Sequence, residues 1–235
     1  MTRVVVHQPD FAPWLGFFDR LLDADVFVVL DDAQFLRRGW HHRDKIKTRQ
    51  GADWLTLSVQ KTGRETTIDR VMLWPERESW VPDCLNLIAA NYRGAAHFGA
   101  VFPRIHALFE KPFARLIEIN FAFLEFAYEM LDLRPRVRFA SELSVTAARS
   151  HRLVDLVKAV GGTRYLTGTG SLDYLDFDLF RARGIEIDVQ KFAHPVYPQL
   201  HGDFVPGLSC LDLFLNCGPD SARILRQSRT PAHPS

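Results

Sequence analysis

The sequence has few of the features that mark a secreted, membrane-bound or metal-binding protein. It contains only three cysteines, Cys84, Cys210 and Cys217, whose odd number and wide spacing fit neither a disulfide framework nor a metal site. No apolar run approaches the roughly 20 residues that a transmembrane helix needs. The opening residues MTRVVVHQPD lack the apolar stretch of a signal peptide. We therefore expect a cytoplasmic protein without a membrane span.

Neither sign of charge predominates, since the formal net charge is only +1 at pH 7. Such a balance does not favour nucleic acid or an anionic membrane as the main partner. Two functional sequence motifs are missing as well. There is no Gly-x-Ser-x-Gly nucleophile elbow, and the turn Gly168–Ser171 lacks the third glycine of a dinucleotide fingerprint. That turn follows a predicted strand, so it suits either a phosphate cradle or a plain turn.

Hydrophobic residues, by contrast, make up 47% of the 235 residues, which is enough to build a sizeable core. We predict a single domain over residues 1–227. Residues 228–235 lack apolar periodicity and are predicted to form a disordered tail.

The first 35 residues organise the rest of the chain. Val4–Val6 is typical of a buried strand, and His7-Gln8-Pro9 interrupts it abruptly. Apolar residues at helical spacing follow, and then a second apolar run, Val26–Leu30, ends at Asp31-Asp32-Ala33-Gln34. In an open α/β sheet, ligands bind outside the carboxyl ends of the strands. If these two strands are parallel neighbours, their polar ends face one crevice.

Strand and helix patterns alternate along the remainder of the chain. Strand patterns occur at residues 54–59, 68–73, 137–140, 164–167 and 185–189. Helical patterns occur at residues 80–92, 113–131, 151–160 and 178–183, and within residues 207–226. We therefore predict an α/β fold, with a Rossmann-like, mostly parallel sheet, helices on both faces and a small added lobe within the first 75 residues.

The polar strand ends belong to a set of short motifs. The set comprises His7-Gln8-Pro9, Pro13-Trp14-Leu15-Gly16, Asp31-Asp32-Ala33-Gln34-Phe35, Arg43–Thr48, Trp54-Leu55, His194–Gln199 and Leu208–Asp212. Through these motifs the chain resembles the WbqC-like family over nearly its whole length. Many members of that family carry Asn where this chain has His41, His42 and Asp44.

The resemblance implies a role in bacterial surface-polysaccharide (O-antigen) biosynthesis. It suggests a transferase that moves an acyl or aminoacyl group, such as glycyl, to an amino sugar. We expect a small-molecule substrate, a nucleotide sugar, and an acyl or aminoacyl donor that the sequence does not identify. Nucleic acid is expected only as an aminoacyl-tRNA donor, and no cofactor or metal is assigned. Two alternatives stay open: a nucleotidyltransferase or ligase-like enzyme, and a non-catalytic component that binds a sugar or nucleotide.

Three residues are candidates for catalysis. His7 and His194 follow predicted strands, and an imidazole there can exchange a proton near neutral pH. Asp32 is a candidate for orienting His7 or for recognising sugar hydroxyls. Asp31 and Asp32 point to opposite sides of an extended chain, so we expect only one of them to face the crevice. Each of these residues also suits a purely structural role.

The predicted substrate-binding residues come from both ends of the chain. Residues 36–47 are predicted to form a loop between two strands, either a solvated loop or one that binds an anion. They mix arginines and lysines with Trp40 and histidines, which are the residue types that hold phosphates and stack on bases. Residues 194–202 are stiffened by two prolines, which suits a rigid recognition segment. The binding candidates are Gln8, Trp14, Gln34, Arg43, Lys45, Lys47, Tyr197, Gln199 and Asp212.

Overall fold

The computed structural model describes residues 1–227 and residue 229. The strands are β1 (Arg3–His7), β2 (Val26–Val29), β3 (Arg43–Thr48), β4 (Gly51–Thr56), β5 (Arg136–Phe139), β6 (Arg164–Thr167) and β7 (Glu186–Val189). The helices are α1 (Leu15–Leu22), α2 (Val81–Tyr92), α3 (Phe98–Glu110), α4 (Leu116–Leu131), α5 (Arg149–Ala159), α6 (Phe177–Ala182), α7 (Cys210–Cys217) and α8 (Ser221–Gln227). The predicted disordered tail lies outside the described residues, apart from Arg229.

A five-stranded sheet in the order β5-β2-β1-β6-β7 forms the centre of the fold, and every neighbouring pair is parallel. The chain builds the sheet outward from β1 to β2 and β5, then returns to the other side of β1 for β6 and β7. The direction of building therefore reverses between β1 and β6. Sheets of this doubly wound kind bind ligands beyond the strand ends at that reversal. The predicted α/β, Rossmann-like fold is confirmed.

Helices cover both faces of the sheet, so the side chains of β1, which point alternately to the two faces, enter two separate cores. Val5 points into the larger core, which contains Phe18 of α1 together with residues of α4 and α7. Val4 and Val6 point into the second core, which contains Val154 of α5 and residues of α6. Burial on both faces explains why β1 is a continuous β-branched run rather than an alternating one. Within residues 1–227 and 229, no helix is both long and apolar enough to cross a membrane.

The small added lobe is an antiparallel hairpin of β3 and β4. Its buried residues Ile46 and Leu55 join the larger core, so the hairpin is packed against the helices. The sequence predicted residues 36–47 as a loop, and the strand from Arg43 was missed because Ile46 is its single aliphatic apolar residue. A strand was also predicted at residues 68–73, and that prediction is wrong. The segment forms a 3₁₀ turn at Ile68–Arg70, with its backbone bound to the chain that follows β2.

Close packing at Gly162 yields a prediction about stability. A Cβ atom at Gly162 would lie 2.6 Å from side-chain carbons of Val4 and Val157 and 2.7 Å from the Val157 carbonyl oxygen. We expect Gly162→Ala to lower the free energy of unfolding by about 1–3 kcal/mol, because β1 and α5 must separate to admit the methyl group. Urea denaturation followed by circular dichroism measures this change.

Gly99→Ala is the matched control, because a Cβ atom at Gly99 on α3 meets nothing within 4 Å. That variant should be as stable as the wild type or more stable by about 0.4–1 kcal/mol. Equal effects of the two substitutions would show that β1 and α5 are not packed this tightly.

Candidate functional site

The larger of two adjoining cavities lies at the carboxyl ends of β1 and β6. At this point the order in which the chain adds strands to the sheet changes direction. We call this cavity the switch-point cavity; its volume is about 660 Å³. It is lined by His7 from β1, by the turn Thr167–Ser171 after β6, and by Gln190, Phe192 and His194 from the chain after β7. The sheet topology therefore brings together polar segments that are more than 150 residues apart in sequence.

A second cavity adjoins the first. We call it the loop cavity, because it lies between the end of β1 and the loop before β3; its volume is about 470 Å³. His7, Trp14 and Gly207 line both cavities. The Trp14 ring stands against Phe192 with a centroid separation of 5.4 Å. It also lies over Gly16, where a Cβ atom would come within 2.3 Å of the indole. Trp14 is therefore the partition between the two cavities.

His7 lies at the boundary of the two cavities with a side chain that is 28% exposed. Its Nδ1 is 2.9 Å from the Gln8 carbonyl oxygen. Since a carbonyl only accepts hydrogen bonds, we assign the proton to Nδ1, which leaves Nε2 as an acceptor. Burial lowers the pKa of His7, the positive charge of Arg20 lowers it further, and Asp10 acts in the opposite direction. His7 is therefore a neutral base at pH 7.

Asp10 links His7 to a second histidine. One carboxylate oxygen is 3.2 Å from Nδ1 of His41, and the other is 3.7 Å from Nδ1 of His7. Asn120 of α4 donates hydrogen bonds of 2.7 Å to the carbonyls of both Pro9 and His41. The helix thereby fixes the turn after β1 and the loop before β3 against each other. Sequence analysis missed Asp10 and Asn120; Asp10 was detectable as a carboxylate three residues after His7, whereas Asn120 carried no signal.

His194 lines the switch-point cavity together with His7. Its Nδ1 donates to the Pro195 carbonyl at 2.9 Å, and its ring packs against Phe192, Phe204 and Tyr197. Burial lowers the pKa of His194, so this imidazole is also neutral at pH 7. The structure thus brings two of the three predicted catalytic residues to one cavity, and their roles stay predictions.

Arg20 of α1 also lines the switch-point cavity, and sequence analysis did not single it out. The residue is only 9% exposed, and its Nε is enclosed without a hydrogen-bond partner. Burial lowers the pKa of Arg20, but a guanidinium stays protonated at neutral pH. A positive charge is therefore held at the wall of the cavity. No pattern could have revealed it, because an arginine in an amphipathic helix usually faces solvent.

Asp44 brings an unusual carboxyl group to the loop cavity. The side chain is buried, its Oδ1 accepts a hydrogen bond of 2.6 Å from the Lys45 N–H, and burial raises the pKa of Asp44 to about 8. Burial lowers the pKa of the neighbouring His42 to about 4, and Arg43 adds to this effect. At pH 7 the wall of the loop cavity therefore carries a protonated carboxyl group, while the imidazole of His42, which does not line this cavity, is neutral.

The polar residues after β2 lie elsewhere. Asp32 forms an ion pair of 2.5 Å with Arg152 of α5, and Asp31 accepts hydrogen bonds from the backbone and hydroxyl of Ser141. Gln34 donates to the Arg64 carbonyl at 2.6 Å. None of the three lines the switch-point cavity or the loop cavity. The role predicted for Asp32 therefore finds no support from its position. Gln34 lines a different cavity of about 490 Å³ beside residues 35–39, and Gln8 and Trp14 line the loop cavity. The predicted roles stay predictions.

Three predicted binding residues, Lys47, Gln199 and Asp212, take part in a largely buried set of hydrogen bonds away from the two cavities, and the buried Tyr197 lies in the same segment as Gln199. Asp212 accepts hydrogen bonds of 2.8 Å from the Tyr92 hydroxyl and from Gln199, while Lys47 donates to carbonyls of residues 202 and 203. Burial raises the pKa of both Asp212 and Tyr197. Neither cavity is lined by Lys47, Tyr197, Gln199 or Asp212. The network joins the hairpin, α2 and α7 to the segment 197–212.

The remaining two basic candidates lie on the hairpin surface. The Arg43 guanidinium is 4.1 Å and the Lys45 ammonium 5.2 Å from the ring centre of Trp54. Trp40, which lines the loop cavity, packs against Trp54 with a centroid separation of 5.2 Å. This basic and aromatic surface lies directly beside the loop cavity.

The chain offers no activated thiol or serine at the cavities among its described residues. Cys84, Cys210 and Cys217 are buried, and burial raises the pKa of each thiol, to about 12 for Cys84 and about 11 for Cys217. Ser209 caps α7, where its hydroxyl accepts from the Leu211 N–H and donates to the Ala12 carbonyl. Among the residues described, no group of three or more His, Cys, Asp or Glu side chains is arranged to hold a metal ion.

A doubly wound parallel sheet with polar side chains gathered at its reversal defines a Rossmann-like α/β protein with one composite crevice. The chain belongs to the WbqC-like protein family, which matches residues 8–224. It is similar to "Uncharacterized protein Rv1507c" of Mycobacterium tuberculosis (strain ATCC 25618 / H37Rv), with 29% identity over 237 residues that cover 97% of this chain and 100% of the relative. No solved structure matches the chain.

The raised pKa of Asp44 predicts a pH-dependent loss of stability. The unfolded carboxyl group has an ordinary pKa of 3.8, whereas the folded group has a pKa of about 8. Between these values the folded state binds more protons, so stability falls as pH rises through this window. We expect Asp44→Asn to be more stable than the wild type at pH 8.5 by at least about 1.4 kcal/mol, which corresponds to one pKa unit. Urea denaturation at pH 5 and pH 8.5 measures the difference.

Asp53→Asn is the matched control for this experiment. Asp53 lies on β4 and accepts from the next N–H at 2.7 Å, as Asp44 does on β3, but it is exposed. Because the Asp53 side chain is exposed, its substitution removes no buried carboxyl group, and we expect no gain in stability at pH 8.5. The same pH dependence in wild type and Asp44→Asn would mean that Asp44 is ionised in the folded protein.

Proposed function

We propose that this protein is a transferase that moves an acyl or aminoacyl group, such as glycyl, to the amine of a nucleotide-linked amino sugar. The observation that carries the proposal is the position of His7. Its free Nε2 belongs to a neutral imidazole at the boundary between two cavities. A two-substrate transfer needs a base where the two substrates meet.

Each cavity suits one substrate. The acceptor occupies the switch-point cavity, where the amino sugar lies near His7 and His194. The donor occupies the loop cavity, with its carbonyl group beside Gln8 and Asp44. Trp14 separates the two molecules everywhere except at the reacting atoms. The basic surface of Arg43 and Lys45 beside the loop cavity suits a donor that carries phosphates, such as acyl-CoA or aminoacyl-tRNA.

The proposed reaction is a nucleophilic acyl substitution. The sugar amine attacks the donor carbonyl, a C–N bond forms, and Nε2 of His7 takes the proton that the amine loses. The C–S or C–O bond to the carrier then breaks, and His7 returns the proton to the leaving thiol or hydroxyl. The Asp10 carboxylate, 3.7 Å from Nδ1, stabilises the transient imidazolium. The protonated Asp44 and the Gln8 amide are the candidate donors to the developing oxyanion.

The biological setting follows from the substrates. Nucleotide-linked sugars and activated acyl donors are made in the cytoplasm, so the proposed reaction belongs there. Transfer to an amino sugar modifies a building block of a bacterial surface polysaccharide, such as an O-antigen. The choice of these substrates and of acyl transfer rests on membership of the WbqC-like family, whereas the proposed role of His7 as the base rests on the geometry around it.

The proposal predicts that His7→Gln greatly slows the transfer without unfolding the protein. The wild type is incubated with nucleotide-linked amino sugars and, in separate reactions, acyl-CoA or glycyl-tRNA, and the acylated sugar is detected by mass spectrometry. We expect His7→Gln to lower the transfer rate by about 10²-fold or more, since general-base catalysis contributes typically 10²–10⁴-fold. Thermal unfolding confirms that the variant is folded.

His106→Gln is the control, because His106 is a half-exposed histidine on α3 that lines neither cavity. It should react at the wild-type rate. Transfer by His7→Gln at the wild-type rate would remove His7 as the base. Stabilisation of the wild type only by a nucleoside triphosphate with magnesium, with no acylated product, would favour a nucleotidyltransferase instead.

A further inference from the structure

The switch-point cavity contains a charge that the protein itself does not neutralise. Arg20 is more than nine-tenths buried, and its Nε is enclosed without a hydrogen-bond partner. Within residues 1–227 and 229, its guanidinium makes no ion pair or hydrogen bond. Buried charges in proteins are normally paired and hydrogen-bonded, because an isolated one is costly to take out of water. We therefore expect Arg20 to bind an anionic group that comes from outside the chain.

The neighbouring carboxylates are engaged elsewhere. Asp19, the next residue on α1, accepts a hydrogen bond of 2.7 Å from Gln190 and pairs with Arg229 at 3.2 Å. Asp10 faces His41 at 3.2 Å. Both carboxylates near Arg20 thus bind other residues, and the guanidinium remains available at the cavity wall.

The surroundings of Arg20 suit an oxyanion. A Cβ atom at Gly168 would lie 3.4 Å from Nη1 of Arg20, so the guanidinium packs directly against the turn after β6. That turn also lines the cavity with Thr167 and Ser171. The Ser171 hydroxyl donates to the Gly168 carbonyl at 3.0 Å, and the Thr167 hydroxyl lies 2.5 Å from Ser171, so these two side chains brace the turn. The planar guanidinium is the group that matches the oxygens of a phosphate, which arginine binds through two parallel hydrogen bonds.

We propose that Arg20, with the turn Thr167–Ser171, is the receptor for the phosphate groups of the substrate in the switch-point cavity. The identity of that substrate as a nucleotide-linked amino sugar rests on the proposed function. The receptor itself rests on the unpaired guanidinium and its position. With the diphosphate held at Arg20, the sugar extends along the cavity toward His7, which fixes the orientation that acyl transfer requires.

Isothermal titration calorimetry with inorganic phosphate, inorganic pyrophosphate and a nucleoside diphosphate tests the receptor without any turnover. We expect the nucleoside diphosphate to bind most tightly and Arg20→Met to weaken it at least about tenfold, while Arg20→Lys weakens it less because the charge is kept. Arg20→Met should also raise the melting temperature of the free protein, since an apolar side chain replaces an uncompensated buried charge. A purely structural arginine predicts the opposite shift.

Arg164→Met is the matched control. Arg164 lies at the other end of β6, where it pairs with Asp188 and Glu186, so this variant should bind the nucleoside diphosphate as the wild type does. The proposal fails if Arg20→Met binds as tightly as the wild type, or if the wild type binds none of the three anions. Binding that needs Arg20, combined with absent acyl transfer, would retain the receptor and reject the proposed reaction. Transfer that survives in Arg20→Met would retain the reaction and reject the receptor.

Discussion

The central position of β1 is the constraint on which the rest of the structure depends. The strand is paired in parallel on both sides and buried on both faces, and it ends at His7 beside the switch-point cavity. The chain that leaves this strand end needs partners for its backbone groups. Asn120 of α4 supplies one of them by donating to the Pro9 carbonyl, and it also donates to the His41 carbonyl of the loop before β3. The crevice exists because the neighbouring strands continue on opposite sides of this point.

The polar residues near the strand ends divide into two groups by what they contact. Asp31 is satisfied by Ser141, and Asp32 is paired with Arg152 through one of its two oxygens. Asp212 on α7 is satisfied by Tyr92 and Gln199. Such contacts join elements that lie far apart in sequence, and the cost of burying each carboxylate is offset by its hydrogen bonds. His7 and Arg20, by contrast, face space within the cavity. The presence or absence of a partner within the chain therefore distinguishes structural polar groups from candidate functional ones more clearly than residue type does.

Sequence patterns revealed the elements with strong hydrophobic signals and little of what depends on long-range contacts. The β-branched run of β1 and the polar motifs of His7 and His194 led to the fold and to two residues of one cavity. The hairpin strand from Arg43 was missed because Ile46 is its single aliphatic residue, and the burial of its polar residues Asp44 and Lys47 depends on segments far away in sequence. Lys47 looked like a ligand-binding lysine because its carbonyl partners, more than 150 residues away, cannot be read from a local pattern. Arg20 was missed for the converse reason, since the absence of a partner appears only in three dimensions.

The electrostatic effect of Arg20 on His7 connects the proposed phosphate receptor with the proposed acyl transfer. Burial lowers the pKa of His7, and the positive charge of Arg20 lowers it further. Under the two proposals, a phosphate bound at Arg20 would offset that charge and would move the pKa of His7 back toward its ordinary value. Binding of the proposed acceptor would therefore make the imidazole a stronger base at the moment when the transfer requires one, because the proton affinity of His7 depends on the charge that Arg20 leaves unbalanced.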